Sequence, residues 1–377
     1  MSFKVLLKKD WKQVSILWML LVFLGVIAFT VPVWSQMQYF DQELRNIQEN
    51  PGEYADWIEG DASDMSVRDF FNENNGTGYW IGDLQTLMPM GGVLFVFVIF
   101  GALMASVLIG TERNSQMSDF TMSLPFTRTQ LYISKWLIGT IGIIVSSVLG
   151  GTLMILLIHF SDYAFLMEGS TNRVIALIVL WMLSGISFFS AALWMGSFGG
   201  ESISQVIWTV IALIFPFGII ALVQGSFFAI GQRYDSTYQV FDGLYQSIYL
   251  RVLSPISNIV NVDMYQYFTN QAEWQKFIAI APWSALAFIV LSFGLGLWMF
   301  NRAPQENNGR FFMFSNWLWL IHIIMVLCFG MLGGIILATF GIYPGIGLYT
   351  VGFLIGGFIA HLLAKRLLYR FNLKLKS

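Results

Sequence analysis

Charged residues drop out of this chain in long blocks. Six windows, 13–40, 84–111, 136–161, 174–200, 202–232 and 277–301, contain no Asp, Glu, Lys or Arg over 25 to 31 residues each. A seventh, 311–364, runs 54 residues without one. A helix needs about 20 apolar residues to span a bilayer, and a charge at its centre costs roughly 2.5–3.5 kcal/mol. Each of the six windows therefore predicts one helix and the seventh two. The expected fold is an all-α integral membrane protein, a polytopic bundle of about eight transmembrane helices.

The segments between the windows set the organisation. Residues 2–12, SFKVLLKKDWK, predict a short amphipathic helix at the interface, with Phe3, Leu6, Leu7 and Trp11 on one face and Lys4, Lys8 and Lys12 on another. An ordinary basic flank on the first span is the alternative. The apolar run that follows, Val14 to Trp34, is too long for the core of a signal peptide. The connection 36–85 holds eleven acidic residues against Arg45 and Arg68. The connection 232–275 is rich in Tyr and interrupted by Pro255, and GIYPG at 341–345 predicts a tight turn. The chain thus divides into the amphipathic segment 1–12, a six-span core 13–300, and a part 301–377. The last part comprises a connector, two extra spans and a basic tail.

Composition agrees: 56% of residues are hydrophobic and 11% charged, against about 25% charged in soluble domains. The sorting of charge is more telling than its sum. Placing the N-terminus inside puts 1–12, 112–135, 201, 302–310 and 365–377 in the cytoplasm, with 14 of the 20 basic residues and 5 of the 22 acidic ones. Both termini are then cytoplasmic, and loops 36–85 and 232–275 are external. One cysteine, Cys328, excludes an intrachain disulfide and reads as a packing residue, with a reactive thiol as the alternative.

Candidate chemistry is sparse. There is no G-x-x-x-x-G-K-[ST] phosphate loop, no H-E-x-x-H and no G-x-S-x-G. His159, His322 and His361 lack Cys or carboxylate neighbours at metal-ligand spacing, so no metal site is expected. In or near spans, such histidines read as helix–helix hydrogen bonders before proton relays. Charge-free spans also argue against an ion-coupled carrier. They suit an amphipathic cargo, with Ser184, Ser187, Ser190 and Trp194 as candidate pathway lining and Pro216 and Gly218 bending the fifth span. Helix packing is the alternative for each of these six. Small residues recur at Gly139, Ser146 and Gly150, at Gly330, Gly333 and Gly334, and at Gly352, Gly356 and Ala360. They suit close helix packing within the chain or a dimer seam.

The most distinctive stretch is TERNSQMSDFTMSLPFTRTQLYISKW, residues 111–136. Met117, Phe120, Thr121 and Leu124 fall at i, i+3, i+4 and i+7 of a short helix. Pro125 ends it, and Thr127 caps a new helix that runs through Lys135. A helix held at a loop mouth suits docking in a groove of another protein; a connector lying on lipid headgroups is the alternative. Glu201, in the turn GGESISQ, is a second candidate contact or a solvated turn residue.

An acidic residue (Glu112), an amphipathic stretch, then Ser123-Leu124-Pro125, Thr127-Arg128 and Lys135 at the next span resembles the ATP-binding-cassette type-2 permeases. The resemblance covers about residues 1–300. It implies that 111–134 is the coupling segment docking on a separate ATPase, through Glu112, Met117, Phe120, Leu124, Pro125, Thr127 and Arg128. It also implies an elbow helix at the N-terminus and a re-entrant external hairpin after span five. This chain would then be no enzyme and hold no cofactor, ATP and magnesium residing on the partner. The implied assembly pairs two ATPase copies with this permease and a second one, identical or homologous, in a bacterial plasma (inner) membrane. Export of a peptide, antibiotic or lipid is the expected activity, and no nucleic-acid partner is expected. The runner-up is a membrane scaffold or sensor of envelope ligands that transports nothing.

Overall fold

The computed structural model describes residues 3–50, 66–68, 88, 92–115, 121, 123, 125–231, 234–245, 247–254, 271–308, 311–340 and 345–366. Ten longer helices run through them: α1 (Phe3–Glu49), α2 (Gly92–Asn114), α3 (Arg128–His159), α4 (Thr171–Phe198), α5 (Ser202–Ala229), α6 (Tyr234–Tyr245), α7 (Ile248–Leu253), α8 (Gln271–Arg302), α9 (Leu318–Thr339) and α10 (Ile346–Ala364). All but α6 and α7 are long and apolar enough to cross a membrane, which makes eight spans among the described residues. Each charge-free window coincides with one such helix, and 311–364 divides into α9 and α10 as expected.

The N-terminal expectation needs correction. Residues 3–12 are the first turns of α1, not a separate elbow helix, and α1 also takes in the start of the expected loop 36–85. No Gly or Pro occurs between Phe3 and Leu24 to break the backbone. At 1.5 Å per residue these 47 residues extend about 70 Å, well beyond a hydrocarbon core of about 30 Å. The surface also differs from the expected two-faced one. Leu6, Asp10 and Val14 are buried at intervals of four, while Trp11 is exposed. Most of the rest of loop 36–85, the region from Pro255 to Asn270, the turn residues 341–344 and the basic tail beyond Arg366 lie outside the described residues.

Helix α4 lies at the centre, packed against α2, α3, α5 and α8, while α1 lies along α3. Small residues set these approaches. A side chain at Gly139 would run into the Phe189 ring, one at Gly185 would meet Phe97 at 2.7 Å, and one at Gly150 would meet Phe29 at 2.5 Å. Ser146 donates to the Leu21 carbonyl at 3.2 Å, bonding α3 to α1. At the far end of this pair, Tyr163 donates to Asp41 Oδ1 at 2.7 Å and to the Met37 carbonyl at 3.2 Å. Burial, then the hydrogen bond and charge of Asp41, hold the Tyr163 phenol above the usual tyrosine range, so it remains a donor.

The last two helices form a tight pair fastened to α5. The small residues of α9 and α10 meet each other within the chain: a Cβ on Gly333 would lie 2.6 Å from the Gly352 carbonyl oxygen. Tyr349 donates to Ser226 of α5 at 2.8 Å. Before α9, the chain is pinned by Phe312, buried against Phe198 with ring centroids 4.5 Å apart, and by the Met313 amide donating to the Phe198 carbonyl at 3.0 Å. Nε2 of His322 and Nδ1 of His361 are 3.0 Å apart across the pair, so these histidines join helices. Cys328 on α9 is half-buried.

Gly352→Ala should destabilise the protein by about 1–3 kcal/mol, the range for overpacking a close contact. Gly347→Ala, where nothing lies within 4 Å, should not. Unfolding in detergent micelles measures both; equal shifts would refute the glycine seam.

Candidate functional site: a buried charge cluster where α2 ends

The site grows from a change of helix type. Helix α2 is apolar from Gly92, then passes into a π-helical stretch, Ser106–Thr111, before a last turn Glu112–Asn114. A π turn shifts the backbone pairing by one residue and leaves carbonyls that need other donors. Gln13 Nε2 of α1 donates to the Val107 carbonyl at 2.7 Å, and Lys135 Nζ of α3 donates to that of Leu108. Gly110 permits close approach of α5, since a Cβ there would lie 2.6 Å from the Ser202 Cα.

Immediately beyond lies Glu112, buried with only 7% of its surface exposed. Its Oε1 is 2.7 Å from Lys9 Nζ of α1, and its Oε2 is 2.9 Å from Lys135 Nζ of α3. Asp10, fully buried, lies 3.7 Å from both ammonium groups through Oδ1, which makes no hydrogen bond. Its Oδ2 accepts from Ser134 at 2.6 Å. Lys9 also donates to Thr121 Oγ1 at 3.3 Å, which ties the segment beyond α2 to α1. Two carboxylates and two ammonium groups balance, the arrangement that makes buried charge tolerable.

Arg113, next in sequence, points the other way. Its buried guanidinium donates to the carbonyls of Gly196 and Gly199, where α4 ends. A cation at a helix C-terminus satisfies open carbonyls and suits the helix dipole. Asn114 reaches Ser202 Oγ at 3.3 Å at the start of α5. The end of α2 is therefore bonded to α1, α3, α4 and α5 within three residues. Chemically this cluster holds helices together; it has no exposed nucleophile. Among the described residues no three His, Cys, Asp or Glu come together as metal ligands.

The sequence-selected residues fall in several places. Thr127 caps α3, accepting from the Gln130 amide at 3.2 Å, as expected. Arg128 donates to the carbonyls of Asn301 at 2.9 Å and Ala303 at 3.2 Å, so it closes the end of α8. Pro125 is exposed. Met117, Phe120 and Leu124 lie outside the described residues. Glu112, grouped with a docking surface, instead lies inside the bundle, because its carboxylate is taken by two lysines. Glu201 caps α5, its amide N–H donating to Ser204 Oγ at 3.3 Å.

Among the candidate pathway residues, Ser184, Ser187 and Ser190 are buried. Ser187 donates to the Ala285 carbonyl of α8 at 3.3 Å, Ser190 accepts from Trp136 at 2.9 Å, and Trp194 contacts Met299 Sδ at 3.1 Å. These contacts hold α4 to its neighbours. Pro216 lies within α5, and a Cβ on Gly218 would meet only Ile214 of the same helix, 3.7 Å away. Lys9, Asp10, Arg113 and Ser134 were missed in the sequence. One signal for Asp10 was available: a carboxylate midway between Leu6 and Val14, on the stripe that should be apolar.

The family model described as ABC-2 family transporter protein matches residues 5–304, ending two residues beyond α8. The chain is 28% identical over 252 residues to the probable ABC transporter permease YtrC of Bacillus subtilis, covering 65% of this chain and 69% of that protein. It is 27% identical over 301 residues to the probable ABC transporter permease YtrD of the same organism, covering 75% and 83%. No solved structure matches.

Removing one member of the buried pair should be costly. Glu112→Gln and Lys135→Met are each expected to lose about 3–5 kcal/mol, and the double variant less than their sum. Lys9→Met should cost less, because its side chain is 30% exposed and water takes over part of its role. A double-mutant cycle in micelles measures this, and simple additivity would show that the two charges do not act together.

Proposed function

This chain belongs to the ABC-2 transporter family, and on that premise we propose that it is the membrane-spanning permease subunit of an ATP-driven exporter. Two permeases, identical or homologous, would form the pathway and dock two ATPase subunits that carry ATP and magnesium. The observation that supports coupling at this point is the convergence of α1, α3, α4 and α5 on Glu112, Arg113 and Asn114. The chain continues from there directly into 115–127, the segment with the docking pattern. A push on that segment would reach several spans at once through buried, charge-assisted bonds, which are shorter and stronger than neutral ones.

Orientation follows from the lysines and arginines of this same end. With the cluster in the cytoplasm, Lys9, Lys12, Arg128, Arg302 and Lys365 lie on the inner side of a bacterial plasma membrane, as the positive-inside rule requires. The spans carry apolar, hydroxyl and aromatic groups and few charges, which suits an amphipathic cargo such as a peptide, antibiotic or lipid. Phe120, Met117 and Leu124 would supply the apolar docking face, Pro125 and Glu201 its rim. Thr127 and Arg128 would orient that face by holding α3 and α8.

Phe120→Asp should weaken ATPase binding by about 2 kcal/mol, roughly thirtyfold, without changing the thermal midpoint of the permease alone. Arg128→Ala should lower both, since it also removes the α8 closure. Binding of purified ATPase to the permease in micelles, with hydrolysis measured alongside, checks this. Unchanged binding and hydrolysis in Phe120→Asp would remove 111–134 from the docking role. Purification from the native membrane without a partner bearing a phosphate loop would favour the scaffold reading.

A further inference from the structure

A cavity of about 660 Å³ lies between α1 and α3 at the end opposite the charge cluster. That volume is within the range of ordinary ligand sites. One wall is apolar, including Trp34, Leu153, Leu157 and Phe160. Trp34 is 55% and Phe160 83% exposed, so the cavity opens sideways rather than into a sealed core. At its mouth lie two carboxylates, Asp41 and Asp162, and no Lys, Arg or His lines it.

These carboxylates have capacity left over. Asp41 uses Oδ1 to accept from Tyr163, and neither Asp41 nor Asp162 makes an ion pair within 4.0 Å among the described residues. Tyr163 holds the Asp41 carboxylate in place at the cavity edge. Trp34 and Phe160 also line the cleft, and an aromatic ring attracts a cation that lies over its face. Asp41 is also the first charged residue after the window 13–40, which places the mouth at headgroup depth and the apolar wall below it.

We propose that this cleft binds a cationic amphiphile from the outer leaflet, its ammonium between Asp41 and Asp162 and its hydrocarbon against Trp34, Leu153, Leu157 and Phe160. The proposal rests on the exporter reading with the N-terminus cytoplasmic, and narrows its amphipathic cargo to positively charged molecules. A neutral lipid would satisfy the wall and leave both carboxylates without a cationic partner. An anionic one would be repelled by them.

The test uses the full-length chain in nanodiscs of phosphatidylcholine, without any ATPase. A hexadecylamine carrying a photoreactive diazirine is compared with the corresponding alcohol and sulfate. The amine should label peptides within 26–41 and 153–163, and half-saturate at a several-fold lower concentration than the alcohol; the sulfate should not label them. Asp162→Asn, in an exposed turn, and Asp41→Asn should each raise half-saturation by roughly two- to fivefold, as for single exposed ion pairs. Tyr163→Phe should leave the amine preference in place, because both carboxylates remain. Equal labelling by amine and alcohol, or no effect of Asp162→Asn, would overturn the proposal whatever a transport assay shows. Amine-selective labelling supports the site even if added ATPase and ATP fail to move the probe, an outcome that would count against the exporter reading alone.

Discussion

Burying the Glu112 carboxylate requires ammonium groups at hydrogen-bonding distance, and much of this architecture follows from where they come from. Lys9 arrives on the first helix and Lys135 on the third, so one side chain at the end of α2 determines the relative height of three helices. In a low-dielectric interior an unpaired charge would cost several kcal/mol, far more than any single apolar contact returns. Asp10 then balances the second lysine, and Ser134 satisfies Asp10. The π-helical stretch belongs to the same solution. Within it the carbonyls of Val107 and Leu108 accept from Gln13 and Lys135, so α2 is bonded to both neighbours through backbone as well as side chain.

The pair α1 and α3 is secured at both ends. The charge cluster holds one end, Tyr163 with Asp41 the other, and Ser146 with the Leu21 carbonyl lies between. A pair held this way moves as a unit, so displacement of the segment beyond Glu112 would be carried along it rather than absorbed by local bending. In the proposed exporter, this joins the docking segment on one face to the cleft at Asp41 and Asp162 on the other. Arg113 and Arg128 extend the same linkage to α4 and α8 by closing their carbonyl ends.

The final hairpin is built by other means. Glycine contacts bring α9 and α10 together, an aromatic cluster around Phe198 anchors the connector, and Tyr349 reaches α5. No ion pair joins it to the rest among the described residues. It lies beyond the residues that the family model matches. Packing without charge lets it attach to a core that already balances its own charges.

What was legible in the sequence is what depends on the solvent alone. A bilayer rejects charge and demands backbone hydrogen bonds within each segment, so charge-free windows of sufficient length announced every span before any packing was known. The Thr127 cap and the end of α4 at Gly199 were local too, written within a few residues of chain. The extent of α1 was not legible, because the amphipathic pattern of residues 2–12 fits a separate interfacial helix as well as the first turns of a long one. Partnership decided it: Lys9 and Asp10 face inward only because Glu112, Lys135 and Ser134, more than a hundred residues away, are there to receive them. The same holds for the serines of α4, which read equally as pathway or packing until Ala285 and Trp136 were found beside Ser187 and Ser190. For the glycines of α9 and α10 the open choice was between an intrachain and a dimer seam. Sequence by itself determined the number of spans, since hydrophobicity is a property of each segment. Only the tertiary structure decided which charges are interior, because a charge becomes buried or exposed by what folds against it.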